Sequence, residues 1–493
     1  MPWTEDEFRR ALEGSAERVR PRPDALAMLH ARSRRRERTR SFSLAFAGAA
    51  AAAVVVLVGL KLQPSPPQAD VEFSAPSRPT TISSAAPVLS EEADGGSILA
   101  EISGDGRFLV FMSEASNLVP GDTNGAADTF VRDLSTGRLE RISVSSAGAQ
   151  GNAASLSASI SRDGRYVAFR SFASNLVAGD GNGTADVFLR DRAAGTTMIV
   201  STAPNGAAAN AASDSASISG DGRLVAFRSL ASNLVPGDTN RVADIFVRDM
   251  AGDSVVRVTK STSGVQANSD SRNPQISADG TRVVFSSYAN SLVAGDTNRT
   301  WDVFMSDLST EETTRLSVST SGMQANGPST FPTISADGGV VAFVSAASNL
   351  IGSDTNRVRD AFVRDVAART TERVSVVRGG GQANGQTLSA AVSGSGRFVA
   401  FSSDASNLVA GDRNARRDVF ELDRSTGVVT LVSVASDGAG GDADSGGPSI
   451  SNDGRFVAFQ SFATNLAAGD TNGVRDVFVH DLPNRTTGRA SVA

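Results

Sequence analysis

The sequence predicts an all-β fold: a seven-bladed β-propeller of four-stranded antiparallel blades, preceded by one transmembrane helix. Three observations lead there. The string ASNLVPGDTN at residues 115–124 returns unchanged at 231–240. Its Asp recurs at Asp122, Asp180, Asp238, Asp296, Asp354, Asp412 and Asp470, always at a step of 58 residues, so seven copies follow one another without insertion. Each copy holds four short strand-like runs separated by turn signals, the pattern of one repeated four-stranded sheet.

The second copy shows the elements in order. "LSASIS" (156–161) is a strand of small residues, and "DG" (163–164) a tight hairpin turn. "RYVAFR" (165–170) is a strand apolar on both faces. "SFASNLVAGDGNGTA" (171–185) is a long loop rich in Gly, Asn and Asp. "DVFLRD" (186–191) and "TMIVS" (197–201) are the third and fourth strands around a short turn, and residues 202–213 lead to the next copy. A strand apolar on both faces must be covered on both. Small side chains in the first strand allow crowding, and the alternating fourth strand, as in "RISVS" (141–145), is half exposed. Sheets stacked radially satisfy all three: crowded at the axis, packed midway, wet at the rim.

The repeat core, "ISxDGRxVAFxS" followed by "DxNGxxDVFVRDLxTG", resembles the WD40-like repeat of the TolB-type β-propellers over residues 98–493. The resemblance implies the propeller fold and a role in binding or docking, with some enzymes among its members. Fold alone does not choose among these.

The N-terminal part has a different composition. Residues 1–40 carry 11 Arg against 7 acidic residues and read as a basic cytoplasmic head of one or two short helices, with Thr4 and Glu7 spaced as a capping box. The head resembles the short cytoplasmic segments of single-pass proteins encoded beside bacterial sigma factors, without their zinc-binding residues. Residues 41–62 hold the expected transmembrane helix, with 17 apolar or small residues at 44–60 after a run containing six arginines. The positive-inside rule places the propeller outside the cytoplasm, on a single-pass protein of the cell membrane. A cleaved signal peptide is the competing reading. The Pro- and Ser-rich residues 63–97 read as a linker, and 98–493 as the propeller.

Charge and composition exclude several classes. Residues 97–493 hold 34 basic and 41 acidic residues, so no nucleic-acid surface is expected. With no Cys there is no disulfide, thiolate zinc site or cysteine nucleophile. The histidines are His30 and His480, and the tyrosines Tyr166 and Tyr288. No Ser–His–Asp set or phosphate loop is present. "SxDG" resembles the Asp-box turn of sialidases, but their tyrosine nucleophile with its arginine trio is not matched. His480 replaces an Arg on a third strand and reads as a packed residue. No cofactor is required by any motif.

In a four-stranded meander the short turns share one face of the disc. The second-to-third loops and the blade-to-blade loops share the other. The long-loop face is therefore the expected working surface, with Asn117, Asn175, Asn233, Asn349 and Asn407 as candidate binding residues. In copies one, two and seven the loop ends Asp-x-Asn-Gly-x-x-Asp: Asp122, Asn124, Asp128; Asp180, Asn182, Asp186; Asp470, Asn472, Asp476. That spacing matches the inner part of a calcium loop, so calcium is a candidate ligand. Turn chemistry, with Asp and Asn bonding their own loop, is the alternative. The reading that results is a membrane-tethered extracytoplasmic propeller that binds a protein or cell-envelope ligand. A propeller hydrolase acting on envelope glycans or lactones is the alternative.

Overall fold

In the computed structural model, seven four-stranded antiparallel sheets follow one another, each with its strands paired in chain order. Residues 91–352 and 354–493 are described. The basic head, the apolar stretch 44–60, the segment "TTISSAAP" (80–87) and most of the linker lie outside the described residues. Among the described residues no helix is long and apolar enough to cross a membrane.

Blade 2 comprises Ser155–Ile160, Tyr166–Ser171, Asp186–Asp191 and Thr196–Ile199, within about a residue or two of the strands expected from sequence. Its third strand is buried at every position, and its fourth alternates between exposed and buried. The second and third strands of every blade carry a directly paired phenylalanine couple, from Phe111 and Phe130 in blade 1 to Phe459 and Phe478 in blade 7. The rings stack at 5.7–5.9 Å between centroids. All fourteen are fully buried, and burial of each stabilises the fold by about 1.5–3 kcal/mol.

Apolar clusters lie between blades, and one of them closes the ring. Leu109, Phe111 and Phe130 of blade 1 pack with Phe456, Ala458 and Val477 of blade 7. Among the described residues no strand is exchanged between the first and last blades. The seam is made instead by a loop shared between the residues just before blade 1 and the last residues of blade 7. Inside the ring, each blade-to-blade loop contains a small hairpin, for example Val144 bridged to Gln150. At the seam Val492 supplies one side of that hairpin and Glu92 the other. The described chain thus enters the ring at Glu92, ahead of its first strand.

Every blade has one feature that its sequence pattern does not show. The first strand carries a β-bulge. In six blades the bulged residue has positive φ: Leu99, Ser157, Ser215, Asn273, Phe331 and Gly447. The bulge bends the innermost strand where the seven strands crowd around the axis. Its residue types share no chemistry, so no pattern announces it.

Candidate functional sites on the long-loop face

The short-turn face is built for closure. In its "SxDG" turns the Ser hydroxyl donates to the Asp carboxylate, as from Ser161 to Asp163 at 2.8 Å, and Asp163 accepts from the Arg165 backbone at 3.0 Å. The turn glycine lies against the residue that opens the second strand of the preceding blade, as Gly164 does on Phe108 and Gly222 on Tyr166.

On the opposite face, the candidate binding asparagines hold loop to loop. Asn175 Nδ2 donates to Gln150 O at 2.8 Å, and its Oδ1 accepts from Asn152 N at 2.9 Å. Asn117, Asn233, Asn349 and Asn407 make the same two bonds. Each amide thus fastens the second-to-third loop of its blade to the loop that enters that blade.

The aspartates of the expected calcium loops converge as the spacing suggests. In blade 1 Asp128 is fully buried and accepts from Ser143 Oγ at 2.5 Å. What lies between Asp122 and Asp128 is a guanidinium: Arg141, from the fourth strand, is 3.2 Å from Asp122 and 3.5 Å from Asp128. Gln150 donates to both carboxylates, at 2.8 and 2.9 Å. Arg257, Arg315 and Arg373 fill the same place in blades 3, 4 and 5. In blade 7 Arg489 reaches Glu92, Asp470 and Asp476 at 2.8, 3.3 and 3.5 Å. Glu92, Asp470 and Asp476 are close enough together to hold a metal ion, and Arg489 supplies positive charge among them. Burial lifts the Asp470 carboxyl to about 6, with Asp476 adding to the effect.

Glycine in the loop does not distinguish copies. Arg241, Arg299, Arg357 and Ala415 adopt the same positive φ as Gly125, Gly183 and Gly473. The copies differ elsewhere. In blades 2 and 6 the arginine becomes Ile199 and Leu431, and the glutamine position becomes Ala208 and Gly440.

The long-loop face also carries an exposed apolar arc that no sequence motif marks. Phe172, Leu230 and Tyr288 occupy the same position on blades 2, 3 and 4, just past the second strand, at 44%, 46% and 45% exposure. Arginines accompany it. Arg170 lies over Phe172 at 4.5 Å, Arg228 pairs with Asp214 at 2.8 Å, and Arg272 lies over Trp301 at 3.8 Å. Trp301 meets Tyr288 edge-on at 5.8 Å.

An axial channel of about 270 Å³ opens towards the short turns and is lined by Glu101, Ser159, Ser217, Gln275, Thr333 and Ser449 among others. Several of these accept a backbone N–H from the next blade, as Glu101 does from Ile160 at 3.1 Å. Burial pushes the Glu101 carboxyl up to about 7. His480 is buried with Nδ1 2.8 Å from Thr487 Oγ1, a contact that Arg190 makes to Thr197 in blade 2. Burial lowers its imidazole to about 4, so the ring is neutral and packed.

No family model matches the chain, and no curated protein does. Solved structures similar to it include TolB proteins. A TolB from Acinetobacter baumannii is 15% identical, with 73% of this chain and 75% of that one covered and a TM-score of 0.36. An oligogalacturonate lyase from Vibrio parahaemolyticus is 14% identical over 80% of this chain and 92% of that one, TM-score 0.48. A structure from a study of two prolyl endopeptidases is 10% identical, TM-score 0.51; 81% of this chain and 50% of that one are covered. At such identities the similarity concerns the fold alone: an all-β propeller, here of seven four-stranded blades.

Proposed function

We propose that this chain is a binding module, anchored in the cell membrane through residues 44–60 with its propeller outside the cytoplasm. It engages a protein or cell-envelope partner around the mouth of the long-loop face. The observation that carries this reading is the arc of Phe172, Leu230 and Tyr288 on three consecutive blades, with Arg170, Arg228 and Arg272 beside it. Single exposed apolar residues are ordinary, but neighbours grouped on one face mark interaction surfaces. Aromatic and arginine side chains supply most of the energy at such surfaces. The rigid ring beneath keeps the ordering cost of binding low.

The test is capture from cell-envelope extract by the full chain, beside a Phe172→Ser, Tyr288→Ser double variant. A partner retained by the wild type and lost from a variant that melts at the same temperature supports the reading. Equal capture by both removes the arc from it. Fractionation with an external protease tests the anchor: the propeller is digested, while the head stays with the membrane after a carbonate wash.

A further inference from the structure

We infer that blades 2 and 6 each bind a divalent cation of the calcium class between their paired aspartates, Asp180 with Asp186 and Asp412 with Asp418, in the place an arginine guanidinium takes in the other five blades.

All seven blades bring two aspartates together where the second-to-third loop meets the third strand. Five insert a guanidinium from the fourth strand. Blades 2 and 6 keep both acids and lose the cation, since Ile199 and Leu431 stand at the arginine position. They also lose the side chain that in blade 1 donates to both carboxylates, because Ala208 and Gly440 stand at the glutamine position. Arginine and glutamine therefore disappear together, and the acids they serve remain.

The consequence is plainest in blade 6. Both carboxylate oxygens of Asp412 and Oδ2 of Asp418 are buried without a hydrogen-bond partner, and Asp418 is fully buried. Asn414 donates to Gly441 O at 2.8 Å. Ser433 Oγ donates to the other oxygen, Asp418 Oδ1, at 2.6 Å. Burying two carboxylates without a counter-charge is strongly unfavourable. A Cβ on Gly440 would meet nothing within 4 Å, and Leu431 lacks the three guanidinium nitrogens, so neither position supplies a counter-charge. Two carboxylates carry the charge of one divalent ion, and their hard oxygens suit calcium, with water filling the remaining positions. In blade 2 both oxygens of Asp186 are engaged, Oδ1 by Ser201 Oγ and Oδ2 by Asn182 Nδ2, each at 2.6 Å, so this site is the weaker one.

Equilibrium dialysis of the full chain against radioactive calcium tests this. The wild type is expected to bind two calcium ions per chain, at Kd values of roughly 0.1–1 mM. Leu431→Arg should leave one, and Leu431→Arg with Ile199→Arg none. Melting in chelator separates lost sites from lost fold: both arginine variants should melt at or above the wild type, because each restores the counter-charge seen in the other blades. Asp412→Asn should also lose an ion and melt higher in chelator, by relieving repulsion. A wild type that binds no calcium up to about 10 mM would overturn the inference, leaving a carboxyl pair that shares a proton. Binding that survives both arginine substitutions would overturn it too, by placing the ions elsewhere. A single ion lost with Leu431→Arg would restrict the inference to blade 6.

Discussion

Glu92 and Arg489 stand 397 residues apart in the chain and 2.8 Å apart in the ring. Glu92 also accepts from Thr471 N at 2.7 Å and Asn472 N at 3.1 Å, so one side chain ties the N-terminal entry to the last blade. Burial raises its carboxyl, but the bonds from Thr471, Asn472 and Arg489 outweigh that and hold it near 2. A depressed carboxyl stabilises the fold above its unfolded value near 4.5 and loses that contribution as pH falls towards 2. Glu92→Gln should therefore lower stability by about 1–3 kcal/mol at pH 7 and by little at pH 2. Denaturant melts at the two pH values check this, and an equal loss at both would contradict it.

Gly164 sits where one blade touches the next. With φ of 72°, a Cβ there would lie 2.1 Å from Phe108 Cδ2. Gly148, at φ 81°, has nothing within 4 Å. Gly148→Ala should cost about 1 kcal/mol from backbone conformation alone, whereas Gly164→Ala adds a clash in a packed interface and should cost about 3 kcal/mol or more. Urea midpoints of the two variants give the comparison.

Glu421 is buried at a position held by Val131, Val247 and Val363 in other blades, and its Oε2 has no partner. Burial pushes this carboxyl up to about 8, and Asp423 contributes in the same direction. For an acid raised above its unfolded value of 4.5, the folded state takes up a proton. Stability then falls as pH rises from about 4.5 to 8 and levels off above. Glu421→Val should stabilise the ring at pH 8, by about 3–5 kcal/mol, and much less at pH 4. Melting across that range checks both the sign and the window.

Phe285 and Phe304 pair across the second and third strands of blade 4 at 5.9 Å. Phe285→Ala should cost about 3–5 kcal/mol, because the filled interface cannot collapse onto the cavity. Tyr288→Ser, three residues on at the exposed loop, should cost only about 0.5–1.5 kcal/mol, the worth of its edge contact with Trp301. Parallel chemical denaturation of the two variants would show the difference.

Much of the architecture is legible in local spacing. A fixed step of 58 residues gives the blade count. The "DG" turns and the doubly apolar "VAF" runs give the strands and their depth, because burial on both faces leaves a mark on every residue of the run. The loop aspartates are legible as well, and Asp122 does converge with Asp128.

What fills the space between them depended on the tertiary structure. Arg373 reaches Asp354 from 19 residues downstream, and Gln382 reaches Thr355 from 27 downstream, once the third and fourth strands have paired. Spacing within the loop carries no information about side chains that arrive by strand register. Ile199 and Leu431 are therefore ordinary strand residues in the sequence and become the residues that leave two acids uncovered in the ring. The seam has the same cause. Glu92 lies in a Pro- and Ser-rich run that spells a linker, yet ring closure sets it beside Val492 in the glutamine's place. The sequence alone determined the repeating unit, because the four strands of each blade pair with one another inside one 58-residue step. The folded ring determined which charges face one another, because those contacts form only after strands pair and the first and last blades meet.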